Sequence, residues 1–274
     1  MKVLEAKFVK DFIRLCDEGY RKGWHERNGG NLSYRIKDEE IESIKENFHD
    51  GEWQEIGTEV PTLKNEYFLV TGSGRFMMNV LRHPEENICI IQLDETGTKF
   101  KIIRGLTEGG RPTSELPSHL MNLEVVKRRT NGSYRIVYHC HATNIIALTF
   151  VLPLDNAIFT RELWEMATEC PVVFPSGVGV VPWMVPGGKE IAIETSKLME
   201  KYDLAVWAHH GIFGAGPDFD TTFGLVDTVE KSAEILVKVL SMTNTKRQTI
   251  KREEFIALAK DFHVTLDEEA LNCK

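Results

Sequence analysis

Several features that would identify particular classes of protein are missing from this sequence. No apolar run approaches the roughly 20 residues of a membrane-spanning helix, and the first residues lack the apolar region of a signal peptide. No CxxC pair occurs, and the five cysteines are odd in number and widely spaced, which argues against a disulfide framework. The net charge of −8 argues against a general nucleic-acid surface. We therefore expect a cytoplasmic protein with reduced thiols and neither a membrane nor a nucleic acid as partner.

The remaining composition is typical of a folded domain. Of the 274 residues, 42% are apolar, which is enough for a sizeable core, and 27% are charged. Because no repeat and no Pro/Gly/Ser-rich linker divides the chain, we predict a single domain over residues 1–274. Residues 38–65 are polar and acidic without a clear period, and we interpret them as an excursion from the core with one short helix over 38–47.

Apolar periodicity predicts strands and helices in mixed order. Alternating or β-branched segments predict strands near 32–36, 66–71, 88–93, 99–103, 134–141, 172–174, 178–181 and 204–207. Helical spacing predicts helices near 3–22, 115–129, 142–151, 159–168, 189–202, 220–241 and 250–262, and the glycine-rich stretch 214–217 is typical of a loop. Because some strands form hairpins and others are separated by helices, we expect a mixed or mainly antiparallel sheet covered by helices.

The segment Tyr138-His139-Cys140-His141 is the first candidate for chemistry, at the end of a predicted strand. Side chains alternate along a strand, so His139 and His141 share one face and Cys140 turns to the other. Two imidazoles on one face can ligate one metal ion, and a catalytic zinc commonly takes three protein ligands and keeps an open position. The competing interpretation is two unrelated polar residues at a strand end.

A third imidazole is available at the end of another buried strand, in Ala208-His209-His210-Gly211. Alternation does not decide between His209 and His210, and either could instead cap a helix or fill the edge of the core. The other histidines lie in polar or helical settings and are expected at the surface: His25, His49, His83, His119 and His263.

A metal ion with three neutral ligands suits the polarisation of a carbonyl, and such chemistry also needs a base. Glu115 follows Thr113-Ser114 at a predicted helix start, where the helix dipole favours an anion. The competing interpretation, an ordinary first-turn carboxylate, is the commoner case for a single glutamate.

Three small polar stretches could bind an anion through backbone N–H groups: 28–31, 71–74 and 113–114. None matches the P-loop or the dinucleotide fingerprint. Together with the histidine pair, they indicate a small phosphorylated carbonyl compound as substrate.

Taken in order, these motifs resemble the class II aldolase/adducin family. They are Asn28-Gly29-Gly30-Asn31, Thr71-Gly72-Ser73-Gly74, Thr113-Ser114-Glu115, His139-Cys140-His141 and His210-Gly211. Further stretches resemble one branch of that family, which has the 38–65 excursion that smaller fuculose-phosphate aldolases lack: 23–24, 26–27, 159–161, 163–165, 172–175, 182–187 and 223–225. The resemblance runs over nearly the whole chain and implies a three-layer α/β/α fold with a central mixed, mainly antiparallel sheet.

The resemblance also implies an activity and a site. It implies one zinc ion per subunit, held by His139, His141 and His210, and Glu115 as acid/base in the reversible cleavage of a phosphorylated ketose. It implies a homotetramer with active sites at subunit interfaces, where Glu169 reaches a neighbouring site. The implied phosphate site consists of Asn28, Gly29, Asn31, Ser73, Gly74, Thr113 and Ser114.

Two alternatives remain within the same resemblance. Another family member, a fuculose-phosphate aldolase or a pentulose-phosphate 4-epimerase, is disfavoured by the branch-specific stretches and by the chain length. An adducin-like interaction module would be marked by loss of the ligand histidines or of the base, and all four residues are present here.

Overall fold

A nine-stranded sheet organises the computed structural model, which describes residues 1–243 and 245–273. The strands are β1 (Asn31–Arg35), β2 (Gln54–Glu55), β3 (Tyr67–Thr71), β4 (Ile88–Leu93), β5 (Lys99–Gly105), β6 (Ile136–Cys140), β7 (Gly179–Val181), β8 (Leu204–Trp207) and β9 (Gly211–Gly216). Their spatial order is β2-β5-β4-β3-β1-β6-β9-β8-β7. Among the described residues, every pairing is antiparallel except that of β7 with β8. The prediction of a mixed, mainly antiparallel sheet is therefore confirmed.

Helices cover both faces of the sheet. They are α1 (Lys7–Arg21), α2 (Asp38–Ile44), α3 (Met77–Val80), α4 (Pro84–Asn87), α5 (Leu116–Arg129), α6 (Thr143–Leu148), α7 (Asn156–Trp164), α8 (Cys170–Val173), α9 (Lys189–Met199), α10 (Phe219–Met242), α11 (Arg252–Asp261) and α12 (Glu268–Asn272). One apolar cluster contains residues of α1, α6, α7 and α10, and a second contains residues of α5 and α9. The predicted three layers are thus present. Within the described part of the chain, no helix has the length and hydropathy of a membrane span.

Strand alternation decides which side chains face the α5 layer. Ile136, Tyr138 and Cys140 belong to the α1–α10 cluster, whereas Val137 belongs to the α5–α9 cluster. His139 has the same parity as Val137 and therefore faces α5. Strand β1 runs antiparallel to β6 with Asn31 opposite His139. The site described below is built on this face.

Three sequence-based assignments are wrong. The apolar stretch 172–174 predicts a strand, but 170–173 form the short helix α8, with Pro171 in its first turn, where proline is tolerated. The glycines of 214–217 predict a loop, but β9 runs to Gly216. A Cβ at Gly214 would lie 2.7 Å from a methyl of Val226, so the missing side chain lets α10 pack closely on the strand. The third error is the start of helix 159–168, which lies at residue 156 because Asp155 caps it.

The excursion at 38–65 contributes more to the core than its composition suggests. It forms α2, the edge strand β2 beside β5, and a 3-10 turn at Pro61–Leu63. Ile41 and Ile44 are buried in one apolar cluster, and Val60 and Leu63 are buried in the other. Its interpretation as an excursion from the core is therefore wrong for these apolar residues, although its polar residues remain largely exposed.

Candidate active site

Three histidine side chains meet at one edge of the sheet. His139 lies near the end of β6, His141 follows that strand, and His210 lies in the turn between β8 and β9. Because β9 pairs with β6, with Cys140 opposite Ile212, the turn is brought next to the end of β6. The ligand nitrogens of the three histidines lie within 4.8 Å of one another. A single ion could contact all three.

The chemistry of His139 fits a metal ligand. Its Nδ1 donates a hydrogen bond to the carbonyl oxygen of Ile212 at 3.1 Å, so Nε2 is the unprotonated nitrogen. That Nε2 atom is buried and has no hydrogen-bond partner, which is unusual for a buried polar atom. Burial holds the pKa of His139 well below its usual range and lowers the pKa of His210 to about 4. Both rings are therefore neutral at pH 7 and fit a divalent cation such as zinc.

The backbone conformation decides between His209 and His210, a choice that strand alternation does not make. His209 adopts a positive φ of 62°, which turns its side chain away from the cluster. Its Nδ1 lies 3.2 Å from the hydroxyl of Thr149, and its ring packs against Phe150 with 4.2 Å between centroids. His210, and not His209, therefore joins His139 and His141.

Glu115 lies beside this cluster at the N-terminus of α5. Its Oε2 is 3.7 Å from Nε2 of His139 and accepts a hydrogen bond of 2.6 Å from the side-chain amide of Asn31. The residue is 7% exposed, and burial raises the pKa of its carboxyl above the usual range. A raised pKa suits a group that must both take up and return a proton near neutral pH.

An open cleft of about 230 Å³ connects the carboxylate and the histidines. The lining residues are Asn28, Gly29, Gly30, Asn31, Ser114, Glu115, His139, His141, Pro186, Gly187 and His210. The absence of a side chain at Gly29 lets the loop backbone lie close to His141, because a Cβ there would lie 2.8 Å from the ring of His141. The cleft has the shape and the polar lining of a site for a small ligand.

The residues predicted to bind phosphate divide into two groups. Asn28, Gly29, Asn31 and Ser114 line the cleft, whereas Ser73, Gly74 and Thr113 do not border it. Ser73 and Gly74 are exposed, next to the loop of Arg111, whose carbonyl accepts from the N–H of Ser73 at 2.8 Å. Thr113 is buried, and its hydroxyl accepts from the N–H of Glu115 at 3.2 Å. Thr113 thus fixes the helix start that carries the carboxylate.

Glu169 lies outside the cleft. It precedes the short helix α8 and is exposed. It is not one of the residues that line the cleft. Within one subunit, the structure does not bring Glu169 together with Glu115.

Two histidines predicted at the surface are buried, and that prediction is wrong. His25 is 2% exposed and His119 is fully buried. His25 donates through Nδ1 to the carbonyl of Gly29 at 3.0 Å and accepts through Nε2 from the hydroxyl of Tyr138 at 2.7 Å, so it supports the loop 28–30. His119 shares the helical stripe of Leu116, Leu120 and Leu123 in α5, and that spacing is the available signal for its burial.

Glu26 has no role predicted from its sequence pattern, yet it contacts one of the three histidines. Its carboxylate accepts a hydrogen bond from Nδ1 of His141 at 2.6 Å. This contact fixes the ring and leaves Nε2 of His141 free, in the way that carboxylates commonly orient histidine ligands of metals.

The fold and the histidine–glutamate cluster together define the class of this protein. The sequence profile described as "Class II Aldolase and Adducin N-terminal domain" matches residues 10–237. The chain therefore belongs to the class II aldolase and adducin family, as its motifs predicted.

Individual relatives and solved structures are similar to this chain over most of its length. The rhamnulose-1-phosphate aldolase of Mannheimia succiniciproducens is 51% identical over 264 residues, which cover 96% of this chain and 97% of the relative. The protein of the same name from Escherichia coli K12 is 50% identical, with 96% of each chain covered. A sugar-phosphate aldolase from Thermotoga maritima superposes with a TM-score of 0.75 at 26% identity, over 88% of this chain and 97% of that one. An L-fuculose 1-phosphate aldolase superposes with a TM-score of 0.61 at 19% identity, over 94% and 97%, which shows a shared fold.

Proposed function

We propose that this chain is an aldehyde-lyase that reversibly cleaves L-rhamnulose 1-phosphate to dihydroxyacetone phosphate and L-lactaldehyde, in L-rhamnose catabolism. The observation that carries the proposal is a buried carboxylate 3.7 Å from a cluster of three imidazoles. The substrate is suggested by the names of relatives that are about half identical over nearly the whole chain.

His139, His141 and His210 would hold one zinc ion per subunit. An ion with three neutral ligands would act as a Lewis acid on the ketose carbonyl and an adjacent hydroxyl. The unpartnered Nε2 of His139 and the Glu26 contact behind His141 support this assignment, because each leaves one nitrogen free toward the centre of the cluster.

Glu115 would move the proton at carbon C3. In the cleavage direction Glu115 begins protonated, the C3–C4 bond breaks with its electron pair left on C3, and the C4 hydroxyl becomes the aldehyde by passing its proton to Glu169 of the partner subunit, from which it returns to Glu115 through solvent after each turnover. Glu115 then delivers a proton to C3, which completes dihydroxyacetone phosphate. In the synthetic direction Glu115 removes the same proton. The buried position of Glu115 in the cleft supports this role, since burial shields the proton transfer from water.

The substrate phosphate would lie at the loop 28–31 and the N-terminus of α5. Backbone N–H groups and a helix dipole both favour an anion there. Asn28, Gly29, Asn31 and Ser114 line the cleft and are the better-supported part of this assignment. Ser73, Gly74 and Thr113 remain in the proposal as outer contacts.

The proposal includes a cytoplasmic homotetramer in which Glu169 of the partner subunit reaches the aldehyde oxygen. Glu169 is exposed and does not line the cleft of its own chain, which suits such a role. The five cysteines are free thiols, and four of them are buried, which suits a reducing compartment.

A coupled assay for dihydroxyacetone phosphate tests the function. We expect release from L-rhamnulose 1-phosphate, loss of the activity after removal of metal by a strong chelator, and recovery when zinc is added back. Metal analysis of the active protein should give about one zinc per subunit. Undiminished activity in metal-free protein would refute the zinc mechanism.

The same assay separates this function from the alternatives. Faster cleavage of L-fuculose 1-phosphate than of L-rhamnulose 1-phosphate would assign the chain to another branch of the family. Protein that is purified without metal and cleaves neither substrate would point to an interaction module.

A further inference from the structure

A chain of buried hydrogen bonds runs from Glu115 into the protein, away from the cleft. The side-chain amide of Asn31 bonds Oε2 of Glu115 at 2.6 Å, and its oxygen bonds Nε2 of His119. Nδ1 of His119 then bonds the hydroxyl of Ser33 at 2.6 Å. Asn31 is 8% exposed where it lines the cleft, whereas Ser33 and His119 are 0% exposed, so bulk water is excluded from the inner end of this chain of hydrogen bonds.

The fold aligns these groups by strand register. Asn31 and Ser33 have the same parity on β1 and face α5, where His119 and Glu115 lie one turn apart. Phe213 packs between two imidazoles, with its ring stacked on His139 at 4.2 Å and at an angle of 62° to that of His119. His119 itself is fully buried and does not line the cleft.

The donor and acceptor groups allow only one direction for this chain of hydrogen bonds. The ionised carboxylate of Glu115 only accepts, so Asn31 presents its NH₂ group to Glu115 and its oxygen to His119. His119 must then be protonated on Nε2 and must accept at Nδ1 from the hydroxyl of Ser33. The reverse polarity would need Ser33 to donate onward to the carbonyl of Val137, and that contact is 3.5 Å, too long for a good O–H···O bond.

We propose that His119 is a positioning residue: it fixes the amide of Asn31 so that the NH₂ group always faces Glu115. Without the Nε2–H donor, the amide of Asn31 loses the contact that distinguishes its oxygen from its nitrogen. A flipped amide would turn its oxygen toward the carboxylate, and the two acceptors would repel each other. Glu115 would then leave the position from which it reaches C3. This inference rests on the acid/base role proposed for Glu115.

Two substitutions of similar size separate positioning from packing. In His119→Gln the side-chain amide nitrogen can occupy the place of Nε2 and donate to Asn31. In His119→Asn the shorter amide reaches only the place of Nδ1, so the contact with Ser33 survives and the contact with Asn31 is lost. We expect His119→Asn to lower kcat by about 10–100-fold with little change in KM or zinc content. His119→Gln should retain most of the kcat.

Asn122 provides the matched control. It is also buried in α5, but its side chain accepts from Ser196 on α9 and does not contact Glu115. Asn122→Ala should lower stability and leave kcat unchanged. Equal losses of kcat in His119→Asn and His119→Gln would overturn the proposal, as would a wild-type kcat in His119→Asn.

An NMR measurement of the tautomer of His119, made without substrate, tests the direction of these hydrogen bonds. In long-range ¹H–¹⁵N NMR spectra of the zinc-loaded wild-type protein, we expect His119 as the neutral Nε2–H tautomer. The Nδ1–H tautomer or a protonated ring would overturn the proposal, even if neither His119 variant folds. Absence of cleavage by the wild-type protein would refute the proposed function and would leave this spectroscopic result intact.

Discussion

At the scale of single residues, the key side chains of the site each have one polar atom held by a hydrogen bond within the protein. His139 has Nδ1 bonded to a backbone carbonyl, His141 has Nδ1 bonded to Glu26, and Glu115 has Oε2 bonded to Asn31. Each such contact fixes one atom and leaves another free toward the cleft. Pre-oriented groups of this kind do not need to reorganise when the substrate binds.

The acid/base role proposed for Glu115 leads to a prediction for its removal. Glu115→Ala should lower kcat by about 10²–10⁴-fold, because general acid–base catalysis at C3 is lost. Zinc content should be unchanged, since the three imidazoles remain. Steady-state kinetics and metal analysis measure both quantities. Glu55→Ala is the control, because that side chain is 73% exposed on the edge strand β2 and should leave kcat as it was.

Mixed oligomers extend this test to Glu169. If each site combines Glu115 of one subunit with Glu169 of the partner subunit, a refolded 1:1 mixture of Glu115→Ala and Glu169→Ala chains should regain about a quarter of the wild-type activity. That recovery arises because one arrangement in four restores both carboxylates. No recovery above the two separate variants would contradict interfacial sites.

At the scale of elements, the site is made by segment ends that the sheet brings together. The β8–β9 turn carries His210, the loop before β1 carries Asn28 and Gly29, and the start of α5 carries Glu115. Strand β6 lies between β1 and β9, so the ends of three neighbouring strands supply most of the cleft. The loop 28–30 has no regular secondary structure, and His25 contacts its backbone at the carbonyl of Gly29.

Gly30 gives a prediction at this scale. It has a φ of +74°, and a Cβ there would lie 2.3 Å from Nδ1 of His25 and 2.7 Å from the carbonyl oxygen of His139. Gly30→Ala should therefore lower the free energy of unfolding by about 2–4 kcal/mol, from backbone strain plus steric overlap. Urea denaturation at fixed protein concentration measures the change.

Gly23 is the matched control for this substitution. Its φ of +78° is similar, but a Cβ added at Gly23 would have no atom within 4 Å, so Gly23→Ala should cost only about 1–2 kcal/mol. Equal effects at the two positions would show that close approach at Gly30 does not contribute.

At the scale of the whole molecule, buried neutral histidines link stability to pH. Burial lowers the pKa of His25 to about 4 and that of His119 to about 3, whereas an unfolded histidine titrates near 6.5. Between these values the unfolded state binds more protons, so acidification favours unfolding. The raised pKa values of Glu115 and Glu230 act in the opposite sense, because those carboxyl groups take up protons more readily when folded.

We therefore expect the metal-free protein to lose stability as the pH falls from 7 toward 5. His139 and His210, whose pKa values burial also lowers, titrate in the same sense once the metal is removed, so the four histidines together contribute a slope of at most about 5.4 kcal/mol per pH unit. Urea denaturation in the presence of excess chelator measures this slope, and it should be less steep by up to about 1.4 kcal/mol per pH unit in His119→Gln, which removes one of the four groups. A stability that rises on acidification would contradict the prediction.

The sequence by itself determined much of this protein. Strand alternation placed His139 and Cys140 on opposite faces, and the apolar periods gave the strands β3, β4 and β8 and the helices α1, α5 and α10, because local spacing sets which face of an element is apolar. The ordered motifs indicated the family that the profile comparison confirmed.

Only the tertiary structure decided the rest. The positive φ of His209 selected His210, and the pairing of β1 with β6 placed Asn31 beside His139 and Glu115. Burial of His25 and His119 depends on what packs over them, and the strand character of 211–216 depends on β6 and β8 on either side. These features arise from contacts between residues far apart in the chain, and local sequence patterns do not encode such contacts.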